Sequence, residues 1–189
     1  ALGLFRAVGD RLGEANVLQA QGDVLYFLKE TAEALGKYEE ALGLFRAVGD
    51  RLGEANVLQA QGDVLYFLKE TAEALGKYEE ALGLFRAVGD RLGEANVLKA
   101  QGDVALQGGD EEMGLTLLEG ARYLYAQIGD RVGQANVGIV LARHAAAQGD
   151  LARAIDYLQP AADFCLEINH PQGAQFQAVI DQWRAQLQP

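Results

Sequence analysis

Serine is absent from the sequence, cysteine occurs once and proline three times. Without serine there is no hydroxyl for a Ser-His-Asp arrangement and no G-x-S-x-G elbow. A lone Cys165 allows no intrachain disulfide, no four-cysteine metal site and no C-x-x-C redox pair, and a reducing cytoplasm is the expected compartment. No apolar run approaches the roughly 18 residues of a membrane span, and no basic-then-apolar leader opens the chain. Neither a span nor a secretory signal is therefore expected within these residues, although Ala1 falls in mid-pattern and an earlier leader stays open. Basic residues are scarce as well, 16 Lys and Arg against 27 Asp and Glu, giving a net charge of −11. Phosphate binding needs clustered Lys and Arg, so neither nucleic acid nor an anionic membrane is an expected partner.

Chemistry-bearing residues are equally thin. His144 stands alone, and His170 takes the place of an aspartate in a recurring turn and precedes Pro171, so two histidines without a carboxylate cluster make no metal site. Cys165 falls where other copies of the repeat carry Phe5, Phe45, Phe85 and Tyr125, a core position. Gly108-Gly109-Asp110 lacks the Gly-Lys-Thr of a phosphate loop, and Leu35-Gly36-Lys37-Tyr38 lacks its upstream glycine and hydroxyl. The expectation is a chain that is not an enzyme and needs no cofactor.

What the sequence has is repetition. Residues 1–40 and 41–80 are identical, 81–120 keep the first eighteen positions before diverging, 121–160 keep the frame, and 161–189 fade. Recent duplication and deliberate construction both account for this. A fixed period of this length is the signature of a stacked array. Within a repeat, Val17, Leu18, Val24, Leu25 and Leu28 share one helical face, called helix A. Ala34, Leu35, Tyr38, Ala41, Leu42 and Phe45 share another, helix B. Thr31 is the expected N-cap of B. Gly49-Asp50, repeated as Gly9-Asp10, Gly89-Asp90 and Gly129-Asp130, stops one helix and caps the next. The expected layout is half of a helix B at 1–8, repeats at about 9–48, 49–88, 89–128 and 129–168, and a capping helix in 169–189, all forming a single array over 1–189.

These stripes resemble the tetratricopeptide repeat. Its spacing appears as Leu18, Gly22, Leu25, Ala34, Tyr38 and Ala41, and again as Leu58, Gly62, Leu65, Ala74, Tyr78 and Ala81. Two departures stand out: the period is 40 rather than 34, and Gln21, Gln61 and Gln101 occupy positions where the family has leucine. The longer period with Gly-Asp-Arg before helix A is similar to the Pins-type spindle-orientation scaffolds and the kinesin light chain class. The resemblance implies an all-α fold, a right-handed superhelical α-solenoid of antiparallel helix pairs, and a protein or peptide ligand held in a concave groove lined by A helices. Carried onto this sequence, the groove residues are Asn16, Gln19, Asp23 and Tyr26; Asn56, Gln59, Asp63 and Tyr66; Asn96, Lys99, Asp103 and Leu106; and Asn136, Ile139 and Arg143.

The asparagines at one helical position have two readings: a clamp on a peptide backbone, or bonds to the adjacent helix that space the stack. The aspartates favour a basic peptide, a preference that Lys99 and Arg143 weaken toward the C-terminus. Tyr26 and Tyr66 are anchor candidates, whereas Phe27 and Phe67 are expected to pack against the next repeat. Rival functions are a spacer or oligomerisation array, and the sensor arm of a larger signalling ATPase or regulator. Three structural expectations complete the reading. Pro160 should kink or break helix B near 156–160. Phe176, Val179, Ile180, Trp183 and Leu187 should face inward on the cap, with glutamines outward. The unmatched ends allow weak head-to-tail self-association, against the alternative that residues 1–8 fray.

Overall fold

The computed structural model describes residues 2–187, which form ten α-helices and no strand among the described residues. They are α1 (Leu2–Val8), α2 (Arg11–Phe27), α3 (Thr31–Val48), α4 (Arg51–Phe67), α5 (Thr71–Val88), α6 (Arg91–Gly108), α7 (Glu111–Ile128), α8 (Arg131–Ala147), α9 (Leu151–Glu167) and α10 (Gln172–Leu187). The chain divides after Val104 into two compact units. In the first, α2 packs on α3, α4 on α5, and α3 on α4. In the second, α8 packs on α9, α7 on α8, and α9 on α10. This is the helix-pair solenoid anticipated from the stripes.

The Gly-Asp turns act as the sequence implies. Gly49 adopts φ 75°, a left-handed conformation that costs a residue without Cβ little. Asp50 then accepts a bond from the Gly53 N–H at 3.0 Å, filling one of the unsatisfied donors of the new helix. The turn from A to B was less legible. Its left-handed residues are Lys29 (φ 63°) and Lys69 (φ 65°), held by Schellman bonds such as Glu30 N–H to the Leu25 carbonyl and Lys29 N–H to the Tyr26 carbonyl, both 2.9 Å. Thr31 is not the cap. Glu30 occupies that position with no side-chain bond, and Thr31 is already helical.

In the first unit the helix pairs are locked by aromatic rings seated on glycines. A Cβ added to Gly62 would lie 2.6 Å from the Tyr78 ring, and one added to Gly53 or Gly93 would collide with Phe45 or Phe85. Tyr38, Phe45, Tyr78 and Phe85 are all fully buried. Cys165 is buried at the matching position, as expected of a core residue. Across the first three Gly-Asp turns an arginine reaches a glutamate eight residues on: Arg6 to Glu14 at 2.7 Å, Arg46 to Glu54 at 2.6 Å and Arg86 to Glu94 at 2.8 Å. These pairs are largely exposed on the arginine side and contribute little to stability.

Two expectations need correcting. Helix α9 runs through Pro160 without a break. The proline deprives the Asp156 carbonyl of its donor, but Asp156 lies on the exposed side of the helix, where the loss of one backbone bond costs little. On α10, Ile180 is buried while Phe176, Val179 and Trp183 are only half-buried and Leu187 is exposed, so the inward stripe is shallower than its composition implies. The four outward glutamines, Gln172, Gln175, Gln182 and Gln186, are exposed as expected of a cap.

Candidate peptide-binding surface

Helices α2, α4 and α6 carry the asparagine position. Asn16 and Asn56 are exposed and make no side-chain hydrogen bond among the described residues, and Asn96 is half-buried. In the second unit Asn136 is likewise exposed, Ile139 half-buried and Arg143 exposed, while Leu106 packs over Gly114. Free amides of Asn16, Asn56 and Asn136 argue against the spacer role for those three residues, because a spacer must bond its neighbour.

The aspartates two turns further on, Asp23 and Asp63, are tied down by the helix B tyrosines. Tyr38 donates to Asp23 Oδ1 and Tyr78 to Asp63 Oδ1, both at 2.7 Å. Burial pushes the Asp63 carboxyl above the usual carboxylate range, against the opposing pull of the Tyr78 hydrogen bond and of Lys99. Both tyrosine hydroxyls are pushed well up, first by burial and then by the carboxylates they serve, so they remain donors. These hydroxyls connect the family's aromatic position on B to the candidate ligand surface on A.

Tyr26 and Tyr66 have identical local sequences and different surroundings. Tyr26 donates to the Asp63 carbonyl at 3.2 Å and meets the Phe67 ring edge-on, with centroids 6.1 Å apart. It is spent on packing between repeats rather than free to anchor a ligand. Neither phenylalanine is buried against the next repeat as expected: Phe67 is 52% exposed and meets Tyr26 of the preceding repeat, and Phe27 is 85% exposed. The Tyr66 hydroxyl is buried without a partner. It lines a cleft of about 290 Å³ together with Gln59 and Asp63 of α4, Tyr78 of α5, and Asn96, Lys99, Ala100 and Asp103 of α6. Six residues marked by their helical position thus converge on one cavity. Within it Lys99 Nζ pairs with Asp103 Oδ2 at 2.7 Å.

The second unit holds a cluster that the sequence did not disclose. His144 Nδ1 pairs with Glu111 at 2.9 Å, Arg153 with Glu119 at 2.9 Å, and the Tyr157 hydroxyl donates to the same Glu119. They border a cleft of about 330 Å³ between α7, α8 and α9. His144 is therefore not alone, but its partner lies on a different helix, at a separation no local spacing rule marks. No group of histidine, cysteine and carboxylate side chains suited to a metal occurs among the described residues. No helix among them is long and apolar enough to cross a membrane.

A family model described as tetratricopeptide repeat matches residues 14–87. No curated protein matches the chain. Solved structures do. Aspartyl phosphate phosphatase F from Bacillus subtilis has a TM-score of 0.81 at 12% identity, over 89% of this chain and 44% of that one. A signal-transduction ATPase with numerous domains and a tetratricopeptide repeat sensor, from Pyrococcus horikoshii, gives 0.73 at 20% identity, over 90% of this chain and 27% of that one. A putative kinesin light chain from Podosopora anserina with nearly identical repeats gives 0.67 at 12% identity, over 93% and 89%. This chain therefore spans less than half the length of the first two. At such identities the likeness shows the fold alone. Repeats of the matched family are in general protein-interaction scaffolds and typically non-catalytic. Residues 14–87 match that family, and in the first unit the aromatic-on-glycine seats recur at the family's positions, so the fold is that of a tetratricopeptide-like helix-pair solenoid.

Proposed function

We propose that the chain binds an extended peptide or protein segment along the face of α2, α4 and α6, in contact with Asn16, Gln19, Asn56, Gln59, Asn96 and Lys99. The observation that carries this reading is the pair of exposed, unbonded amides of Asn16 and Asn56 leading into the cleft beside Asn96. An asparagine side chain offers two donors and an acceptor, which matches one peptide unit whatever its side chain. Packed helices lie about 8–10 Å apart and an extended strand rises about 3.3 Å per residue, so each asparagine meets about every third ligand residue. Asn136 and Arg143 offer the same chemistry in the second unit. The acidic balance favours a basic ligand and disfavours nucleic acid.

A second reading, the sensor arm of a larger signalling protein, draws on the Pyrococcus ATPase, whose own repeats are described as a sensor. It is compatible with the first, because a sensor of this kind also works by binding.

The test begins with a peptide selected from a displayed random library on the immobilised chain. Replacing Asn56 and Asn96 together by Ala is expected to weaken that peptide about tenfold or more in calorimetry, through one or two lost hydrogen bonds, with helicity retained. Unchanged affinity in the folded double variant removes the asparagines from the binding mechanism.

A further inference from the structure

The identical first and second repeats make an internal control. Tyr26 is engaged at both ends: its hydroxyl reaches the Asp63 carbonyl and its ring meets Phe67. Around Tyr66 the hydroxyl is buried with no partner, and the third copy carries Gln107 at the position of Phe67, so the aromatic contact has no counterpart. A buried hydroxyl left unpaired costs roughly 1–3 kcal/mol, and a group that fills the cleft and bonds it recovers that cost.

We infer that the cleft between α4, α5 and α6 receives one primary ammonium group of the bound segment, held by Asp63, Asp103 and the Tyr66 hydroxyl. This rests on the peptide-binding reading above and specifies its chemistry. Charge selects a cation: Asp63 and Asp103 against Lys99 leave one negative charge uncompensated. Geometry selects ammonium over guanidinium. A guanidinium fork is satisfied by both oxygens of a carboxylate. Here Tyr78 occupies Asp63 Oδ1 and Lys99 occupies Asp103 Oδ2, so each carboxylate has a single oxygen to offer. Two such oxygens and the Tyr66 oxygen give three acceptors for three N–H donors. An anion, by contrast, meets a Lys99 already neutralised by its own partner.

The source of the ammonium, a lysine side chain or a peptide N-terminus, is separated by the probes. Nine-residue amidated peptides of alternating Gly and Ala carry at their centre Lys, Arg, norleucine or Glu, all Nα-acetylated, with a fifth that pairs central norleucine with a free N-terminus. Calorimetry is expected to give the lysine or the free-amine peptide about tenfold tighter binding than acetylated norleucine, with arginine weaker than lysine. Tyr66→Phe deletes only an unpartnered hydroxyl, so the variant folds, and it is expected to lose about fivefold of the ammonium preference and none of the norleucine binding. Lys99→Gln installs the residue that Gln19 and Gln59 place at the same position, and removal of the competing cation is expected to strengthen the ammonium peptide several-fold. Equal binding of lysine, norleucine and glutamate peptides overturns the ammonium site while leaving the peptide-binding surface standing. A lysine preference unmoved by both substitutions places the cation elsewhere and overturns it too. So does a complete lack of binding to all five peptides, and the library-selected peptide then decides the broader reading independently.

Discussion

Replacing Phe85 by Ala is expected to destabilise the first unit by about 3–5 kcal/mol, the range for truncating a fully buried phenylalanine. Phe85 is completely inaccessible and its ring lies on the bare backbone of Gly93, so its loss removes the wedge between α5 and α6. The neighbouring backbone cannot close on the space without breaking the stack. In a repeat array stability is close to a sum of repeat terms and nearest-neighbour interfaces, and this residue belongs to the interface term. Phe5 is the built-in comparison. It has the same local sequence but is only half-buried, and Phe5→Ala is expected to cost less than half as much. Denaturation by urea, followed by far-ultraviolet circular dichroism, measures both. Equal small losses would mean that the ring-on-glycine seats do not hold the pairs together.

The opposite effect is expected from four other glycines. Gly36, Gly43, Gly76 and Gly83 lie inside α3 and α5, are exposed, and have no neighbouring atom within 4 Å of where a Cβ would stand. An alanine there relieves a helix penalty of about 0.5–1 kcal/mol per site and meets nothing. The sites are far enough apart to add, so the fourfold Ala variant is expected to gain about 2–4 kcal/mol. For a chain of this size that corresponds to a rise in Tm of roughly 5–15 °C in a thermal scan. Gly53→Ala, on the same principle of counting neighbours, is expected to lose stability because Phe45 occupies the place of the new methyl. A fourfold variant with an unchanged or lower Tm would show that these helices do not depend on their intrinsic propensity.

Much of the architecture was legible because it depends on local rules. The stripe of Ala34, Leu35, Tyr38, Ala41, Leu42 and Phe45 predicts which face is buried; five of the six are buried, and Leu35, at the edge of the stripe, is half-buried. The Gly-Asp pairs demand a left-handed residue and then a capping oxygen, and both are present at residues 49 and 50. What the sequence conceals is set by neighbours. Val24 is 58% exposed and Val64 is fully buried, although the residues around them are the same, because only α4 has a helix pair packed before it. Tyr26 and Tyr66 differ through the repeat that follows each, which offers Tyr26 the Phe67 ring and Tyr66 only Gln107 at the same position. Gln61 and Gln101 interrupt the family's leucine position, yet both are buried, and Gln61 reaches Glu39 of α3 at 3.2 Å. The left-handed turns at Lys29 and Lys69 leave no mark in the sequence, since they are held by backbone bonds and nothing in lysine favours that conformation. Pro160 reads as a breaker by the local rule, but packing of α9 on α8 and α10 keeps the helix whole.

The candidate surface divides along the same line. Helical spacing places Gln59, Asp63 and Tyr66 on one face of α4 and Asn96, Lys99 and Asp103 on one face of α6, and the stacking of the repeats brings the two faces together around one cleft. Which of their atoms stay free depends on the hydroxyls of Tyr38 and Tyr78, which arrive from the other helix of each pair and have no signal in the A-helix pattern. The pairing of His144 with Glu111 is hidden for the same reason.

The central claim is that the A-helix face is where a partner lies, and a crystal structure of the chain with its library-selected peptide tests it most directly. The account predicts an extended segment running across α2, α4 and α6, its main chain bonded to the side-chain amides of Asn56 and Asn96. A peptide seated instead on the outer faces of α3 and α5, with both asparagines untouched, would contradict it.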